Sequence, residues 1–181
     1  MQPFSLESLW AVRARDMQEA AIRDIYTRMD ADGLADVVFY NGGITGPASF
    51  ANFATRRGLE LRTVYHGNEP VGVVWLNNAL GLACMTHFCI LRRFWPWQRA
   101  IGLWTVRHYL EPLNPATGAP YLTALYGLTP KAYRHALRFI QSIGFRLLGV
   151  LPGSCEFQGP HGPVYRDGVT SVLTLADIPN E

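Results

Sequence analysis

Lysine is almost absent from this sequence: Lys131 is the only one among sixteen basic residues, and the rest are arginine. Arginine suits fork-like contacts to phosphate oxygens, although a codon bias toward arginine yields the same count. Charge as a whole is scarce, at 17% of residues, and fourteen acidic side chains reduce the net value to +2. That is too little to mark a nucleic-acid surface by bulk charge, so no nucleic-acid partner is expected. The three cysteines, Cys84, Cys89 and Cys155, are odd in number and irregularly spaced, which excludes a disulfide framework. No cationic start leads into an apolar run of signal-peptide type, and a reducing, cytoplasmic setting is expected. Long hydrophobic runs are missing too. The most apolar stretch, Val71 to Leu91, is broken by Asn77, Asn78, Gly81, Thr86 and His87. It falls short of the ~20 clean apolar residues of a membrane span and reads as two buried strands and a turn, with no membrane partner. Internal repeats and low-complexity segments are also lacking, and no polar linker divides the chain.

What remains is 181 residues that are 49% hydrophobic, enough for one domain to bury roughly 70% of its unfolded surface. Intrinsic disorder is excluded. After a short strand near Leu6 to Val12, Asp16 to Met29 places Ile22, Ile25, Tyr26 and Met29 at helical spacing, ending near Asp32-Gly33. Val37 to Tyr40 is brief and apolar, Asn41-Gly42-Gly43 is a turn, and Pro47 opens a second helix toward Arg57. From Leu61 the period changes to two. Leu61 to His66, a turn at Gly67 to Pro70 and Val71 to Leu76 form a hairpin, and Leu82 to Leu91 follows an Asn77-Asn78 turn. Pro96 fits the first turn of a helix reaching Leu110, with Trp97, Ala100, Ile101, Trp104 and His108 on one face. A loop from Glu111 to Pro120 leads to a strand over Tyr121 to Tyr126. Thr129 then caps and Pro130 opens a helix with the stripe Ala132, Ala136, Phe139, Ile140 and Ile143, ended by Gly144. Phe145 to Val150 is a strand, Pro152 to Pro163 an excursion, and Val169 to Leu175 the last strand. This order describes an α+β (α/β three-layer) domain, with a mixed, mostly antiparallel central sheet flanked by helices.

The same order, with Gly127-Leu128-Thr129-Pro130-Lys131-Ala132-Tyr133-Arg134-His135-Ala136 running into Ile143-Gly144-Phe145, resembles the GNAT superfamily of acyl-CoA-dependent N-acyltransferases. The likeness is clearest from about Leu61 to Val150. Ala136, Gly144 and Phe145 match the signature of the family's fourth helix, whereas Tyr133 stands where the family has asparagine. His87 in the fourth strand, followed by Arg92 and Arg93, is similar to the divergent acyltransferase-like proteins of phages and prophages. The resemblance implies one domain over residues 1–181, with acetyl-CoA or another acyl-CoA as co-substrate, no metal, and a small-molecule or protein amine as acceptor. A homodimer is among the expected assemblies.

Acyl-CoA carries a pyrophosphate, which a helix start with free amides and nearby cations holds well. The family's loop reads Gln/Arg-x-x-Gly-x-Gly/Ala, and Arg99-Ala100-Ile101-Gly102-Leu103-Trp104 matches its first four positions. A second register runs from Arg93 to Arg99, with Pro96 removing one amide; the sequence leaves both open. Either brings Arg92, Arg93 and Arg99 within reach of phosphate, unless they cap a solvated helix end, while Trp95 and Trp97 read first as core. The resemblance places Trp97, Gln98, Arg99, Ala100, Gly102 and Ala136 around the cofactor, and the backbone of Cys89, Ile90 and Leu91 along its pantetheine arm.

Acyl transfer to an amine needs the amine neutral, the thioester carbonyl polarised and the leaving thiolate protonated. His87 is the candidate base, set against a buried core histidine. The family's proton-donating tyrosine falls at Ile140, so Tyr133, or less directly Tyr126, is the substitute. Strand alternation turns Cys84 away from His87 and Cys89, which argues against a zinc site. These departures leave a second expectation: a binding or phage-structural module on the same scaffold with its chemistry lost.

Overall fold

The computed structural model describes residues 4–179. Seven strands are hydrogen-bonded in the order β1-β2-β3-β4-β5-β7-β6. They are β1 (Leu9–Arg13), β2 (Glu60–His66), β3 (Glu69–Leu80), β4 (Ala83–Ile90), β5 (Ala124–Pro130), β6 (Arg146–Gly159) and β7 (Gly162–Thr174). The helices are α1 (Glu19–Ala31), α2 (Ala35–Val38), α3 (Pro47–Ala54), α4 (Gln98–Leu110) and α5 (Arg134–Ser142). Packing divides these elements into two compact units. One gathers the chain up to Asn77 with His87–Trp97 and Glu156–Val164; the other holds Asn78–Thr86, Gln98–Cys155 and the residues from Tyr165 on.

In the first unit α1 buries the four positions that its spacing predicts, Ile22, Ile25, Tyr26 and Met29. Its outer face carries the i,i+4 ion pairs Glu19–Arg23 and Asp24–Arg28. Pro47 begins α3, as expected, although the helix stops at Ala54 rather than Arg57. Phe50 is fully buried and its ring lies 5.7 Å from Tyr26 and 5.9 Å from Phe39, so α1, α2 and α3 meet in one aromatic cluster. Trp75 of β3 closes that cluster, stacked on Phe39 at 5.8 Å. β1 pairs antiparallel with β2 from Leu9–His66 to Arg13–Arg62, and β2 with β3 from Glu60–Leu76 to His66–Glu69. The expected Asn77-Asn78 turn is absent: β3 continues through both asparagines to Leu80. Asn78 takes φ 46° inside the strand, a conformation asparagine tolerates, and the reversal falls at Gly81 (φ 61°).

In the second unit, the parallel pairing of β4 with β5 covers Ala83–Ala124, Cys84–Leu125 and Met85–Tyr126. β5 then pairs antiparallel with β7 as far as Pro130–Gly168. This pairing overrides the helix-start signal at Thr129-Pro130. Both residues end a strand, and α5 begins only at Arg134, with Tyr133 at its N-cap. Of the expected α5 stripe, Ile140 and Ile143 are buried, Ala136 and Phe139 are half-buried and Ala132 is exposed. Gly144 closes α5 at φ 104°, and a Cβ there would overlap the Asp177 carbonyl oxygen.

Two further expectations are corrected. Pro96 lies inside a 3-10 run, Arg92–Trp97, that leads straight into α4. α4 buries Ile101, Gly102, Leu103, Thr105, Val106, Tyr109 and Leu110, so Trp97, Ala100, Trp104 and His108 lie beside the buried face rather than on it. The excursion from Pro152 to Pro163 is instead a long hairpin of β6 and β7.

Candidate functional site

His87 occupies the first unit, on β4. Its ring stacks on Trp75, with centroids 4.7 Å apart and planes 5° apart, and its Nε2 lies 3.1 Å from Asn77 Oδ1. Burial disfavours the imidazolium and lowers the pKa of His87 to about 4. The ring is therefore neutral at pH 7. With Nε2–H donating to the Asn77 carbonyl oxygen, Nδ1 is left as the accepting nitrogen. Cys89, on the same face of β4, is buried, and desolvation followed by the Asp32 charge pushes its thiol up to about 12. It stays protonated, so a Cys–His nucleophile pair is not formed.

The end of β4 uses much of its own hydrogen-bonding capacity. Leu91 N–H donates to Val71 O at 2.9 Å, and a Cβ on Gly72 would overlap the Cys89 carbonyl oxygen. Cys89 and Leu91 thus turn backbone groups toward β3, and only a glycine at position 72 permits so close an approach. By strand alternation the backbone groups of Ile90 turn the other way, where its carbonyl accepts from Trp95 Nε1 at 2.9 Å. Of these three residues, Ile90 retains the outward amide.

The arginines that follow are exposed, and each is engaged. Arg92 N–H donates to Asp32 Oδ2 at 2.7 Å, its side chain reaches the Asp32 carbonyl, and its guanidinium lies 5.0 Å over the Trp95 ring. Asp32 thereby supplies a carboxylate where the amides of the 3-10 run begin. Arg93 pairs with Glu69. With Phe4, His66, Phe94 and Trp97, these two residues line a pocket of about 490 Å³. Trp97 is not core: it is 37% exposed and stacks on Phe4 at 5.1 Å, while Phe4 stacks in turn on His66 at 4.9 Å.

In the second unit Arg99 Nε donates to the Ser142 carbonyl at 3.2 Å, and Gln98 and Ala100 are half-buried in the first turn of α4. Gly102 is buried inside α4. A Cβ there would come within 3.0 Å of the Phe139 ring and 2.9 Å of Ile143 Cγ2. The loop register that uses Gly102 as a phosphate-binding glycine is corrected: this glycine lets α4 approach α5. Tyr126 Oη donates to the Asn78 carbonyl at 2.5 Å, which occupies its proton. Tyr133, half-buried at the head of α5, has its pKa raised by burial, against the lowering effect of Arg166, with Cys155 adding to the rise. It remains a protonated hydroxyl at neutral pH. Ile140 is buried and offers no proton. Among the described residues no three His, Cys, Asp or Glu side chains gather as a metal-holding group.

Asn77, Trp75 and Asp32 are the functional neighbours that the sequence reading misses. The only available signal for Asn77 was its two-residue spacing from Trp75 on one strand, ten positions before His87.

No family model matches the sequence, and no curated protein matches it. Solved structures do match its fold. A spermidine N-acetyltransferase from Vibrio cholerae, crystallised with CoA and spermine, superposes with a TM-score of 0.71 at 12% identity, covering 94% of this chain and 98% of that one. An acetyltransferase from Salmonella typhimurium that modifies the N-terminal serine of ribosomal protein L7/L12 gives 0.73 at 11% identity, over 93% and 95%. The Campylobacter jejuni N-acetyltransferase PseH gives 0.60 at 10%, over 93% and 99%. The chain has the GNAT fold.

Proposed function

We propose that this chain is an acyl-CoA-dependent N-acyltransferase acting as one domain, with acetyl-CoA the expected donor and an amine the acceptor. The observation that carries the reading is the match to three N-acetyltransferases over at least 93% of the chain. Their acceptors, a polyamine in one case and a protein N-terminus in another, frame the choice here as a small-molecule or protein amine. A cytoplasmic location and a likeness to phage-type relatives accompany this reading, the latter through His87, Arg92 and Arg93.

The donor brings a thioester whose carbonyl carbon is open to attack. On this chain, neutral His87 accepts the proton that the acceptor nitrogen sheds as its bond to carbon forms, through Nδ1 because Asn77 holds Nε2. As the carbon–sulfur bond breaks, Tyr133 gives its proton to the sulfur; His87 then releases its extra proton to solvent, and Tyr133 takes one up. The Ile90 amide supports polarisation of the carbonyl. Arg92, Arg93 and Arg99 support the phosphates, Arg92 by releasing Asp32, Arg93 by exchanging Glu69 for a phosphate oxygen and Arg99 by releasing the Ser142 carbonyl. Trp97 offers an exposed ring beside Arg93.

Calorimetric titration with acetyl-CoA tests the cofactor claim, and thiol release with spermidine and with a peptide amine tests transfer. Saturable heat is expected, and its absence at millimolar donor would end the proposal. One observation favours a second reading, a scaffold that binds without transfer: Ile140 fills the position of the family's proton-donating tyrosine. Binding without thiol release across both acceptors would select it. A measurable activity removed by His87→Ala would exclude it.

A further inference from the structure

The pairing of β1 with β2 brings two arginines together. Arg13 stands directly opposite Arg62 in the antiparallel register, and like charges so placed repel. One carboxylate lies among them. Glu60 Oε1 is 3.0 Å from Arg13 Nε and 3.0 Å from Arg62 Nη2, and it accepts from Arg62 Nε at 3.1 Å. Glu60 Oε2 accepts from Arg15 Nη2 at 3.4 Å, and that nitrogen also donates to the Leu59 carbonyl at 3.3 Å. Three guanidinium groups thus converge on a single negative charge, which leaves two positive charges unmatched. The adjoining chain adds to the excess. Arg56 and Arg57 are exposed, in the turn that leads into Glu60, where Leu59 N–H donates to Arg56 O at 3.2 Å. Over Leu9–Asp16 and Thr55–Arg62 there are five arginines and two carboxylates, Asp16 and Glu60, so this corner alone carries more positive charge than the +2 of the whole chain. The side chains of Arg13 and Arg15 remain 51% and 55% exposed, while those of Arg62 and Glu60, at 18% and 28%, form the floor beneath them.

We infer that Arg13, Arg15 and Arg62 form a binding site for the phosphoryl group of a phosphomonoester, separate from the residues assigned to the acyl donor, and that Glu60 occupies it in the free protein. The charge identifies the ligand. A phosphomonoester brings close to two negative charges at neutral pH and three strong acceptor oxygens. That matches the charge this cluster lacks, with one oxygen for each guanidinium. A carboxylate brings only half as much, as Glu60 itself shows. Guanidinium forks also meet phosphate oxygens in pairs, whereas lysine offers a point charge. On binding, Glu60 yields its place among the arginines to the phosphoryl oxygens. Exposed ion pairs contribute little net stability, so the exchange costs little.

Calorimetric titration with inorganic phosphate at low ionic strength tests the site. Saturable heat is expected with phosphate, and none with acetate at the same concentration. Arg15 lies in a short 3-10 turn, Ala14–Asp16, outside the β1–β2 ladder. Arg15→Gln should weaken phosphate by about tenfold or more, with the melting temperature and the acetyl-CoA titration unchanged. Glu60→Gln removes the competing anion and should tighten phosphate by about tenfold. Glucose 6-phosphate and a phosphoserine peptide separate the carriers: the tighter of the two shows whether a small molecule or a protein presents the group. Absence of heat with phosphate overturns the proposal, as does failure of both carriers to bind. Equal phosphate affinity in Arg15→Gln, no tightening in Glu60→Gln, or a matching loss of acetyl-CoA binding in Arg15→Gln overturns it as well.

Discussion

At the residue scale, His87 shows how one asparagine turns a half-buried imidazole into a defined tautomer. Because its pKa is lowered to about 4 in the fold, below the ordinary ~6.5, the unfolded chain binds a proton in the interval where the folded chain does not. Nothing is lost above pH 6.5. Stability falls as pH drops from about 6.5 toward 4, by on the order of 2–3 kcal/mol for this group. His87→Gln, which keeps a polar partner for Asn77, should flatten that part of the profile in denaturant melts between pH 4 and 8; an unchanged slope would contradict the assigned shift. A different residue-scale case lies in the second unit. Thr86 and Ser171 are buried, and the hydroxyls Thr86 Oγ1 and Ser171 Oγ lack a hydrogen-bond partner among the described residues. Ser171 stands directly opposite Gly127, and its Oγ would lie 3.1 Å from a Cβ there. Removing an orphaned hydroxyl while keeping its shape is neutral or favourable, so Thr86→Val should leave stability unchanged or raise it by about 1 kcal/mol. A clear loss on calorimetric melting would mean that a bound water satisfies the group.

At the element scale, close approach governs. Gly72→Ala would drive a methyl group into the Cys89 carbonyl, and Gly144→Ala would combine an unfavourable φ of 104° with a clash at Asp177 O. Each should cost roughly 2 kcal/mol or more, read as a lowered urea midpoint. These elements also show what the sequence could disclose. The spacing of Ile22, Ile25, Tyr26 and Met29 identifies α1 because burial on one face is a local periodicity. Thr129-Pro130 misleads because the deciding contacts, Thr129–Val169 and Pro130–Gly168, lie about forty residues away. Asn77-Asn78 misleads in the same way: Asn78 takes its turn-like φ without ending the strand. The candidate site divides likewise. His87 is legible as a titratable group on a strand, whereas Asp32 meets Arg92 across sixty residues of chain, and no local pattern announces that contact.

At the scale of the whole molecule, element order carried the fold, and the small net charge of +2 said little about where function lies. The separations just described also set an order of events in time. β1 must find β2 across the span from Leu9 to His66, and the parallel ladder must join Ala83 to Ala124. Strands so far apart in sequence close slowly, because a long loop is ordered before any contact rewards it. The β6–β7 hairpin turns within two residues, Pro160-His161, and can form without waiting. It should be an early piece of structure in a chain still searching for its distant pairs. Its exposed aliphatics, Leu147, Leu148, Val150 and Leu151, are then open to other chains before the rest has closed, so refolding yield should fall as concentration rises, even where the finished protein is stable.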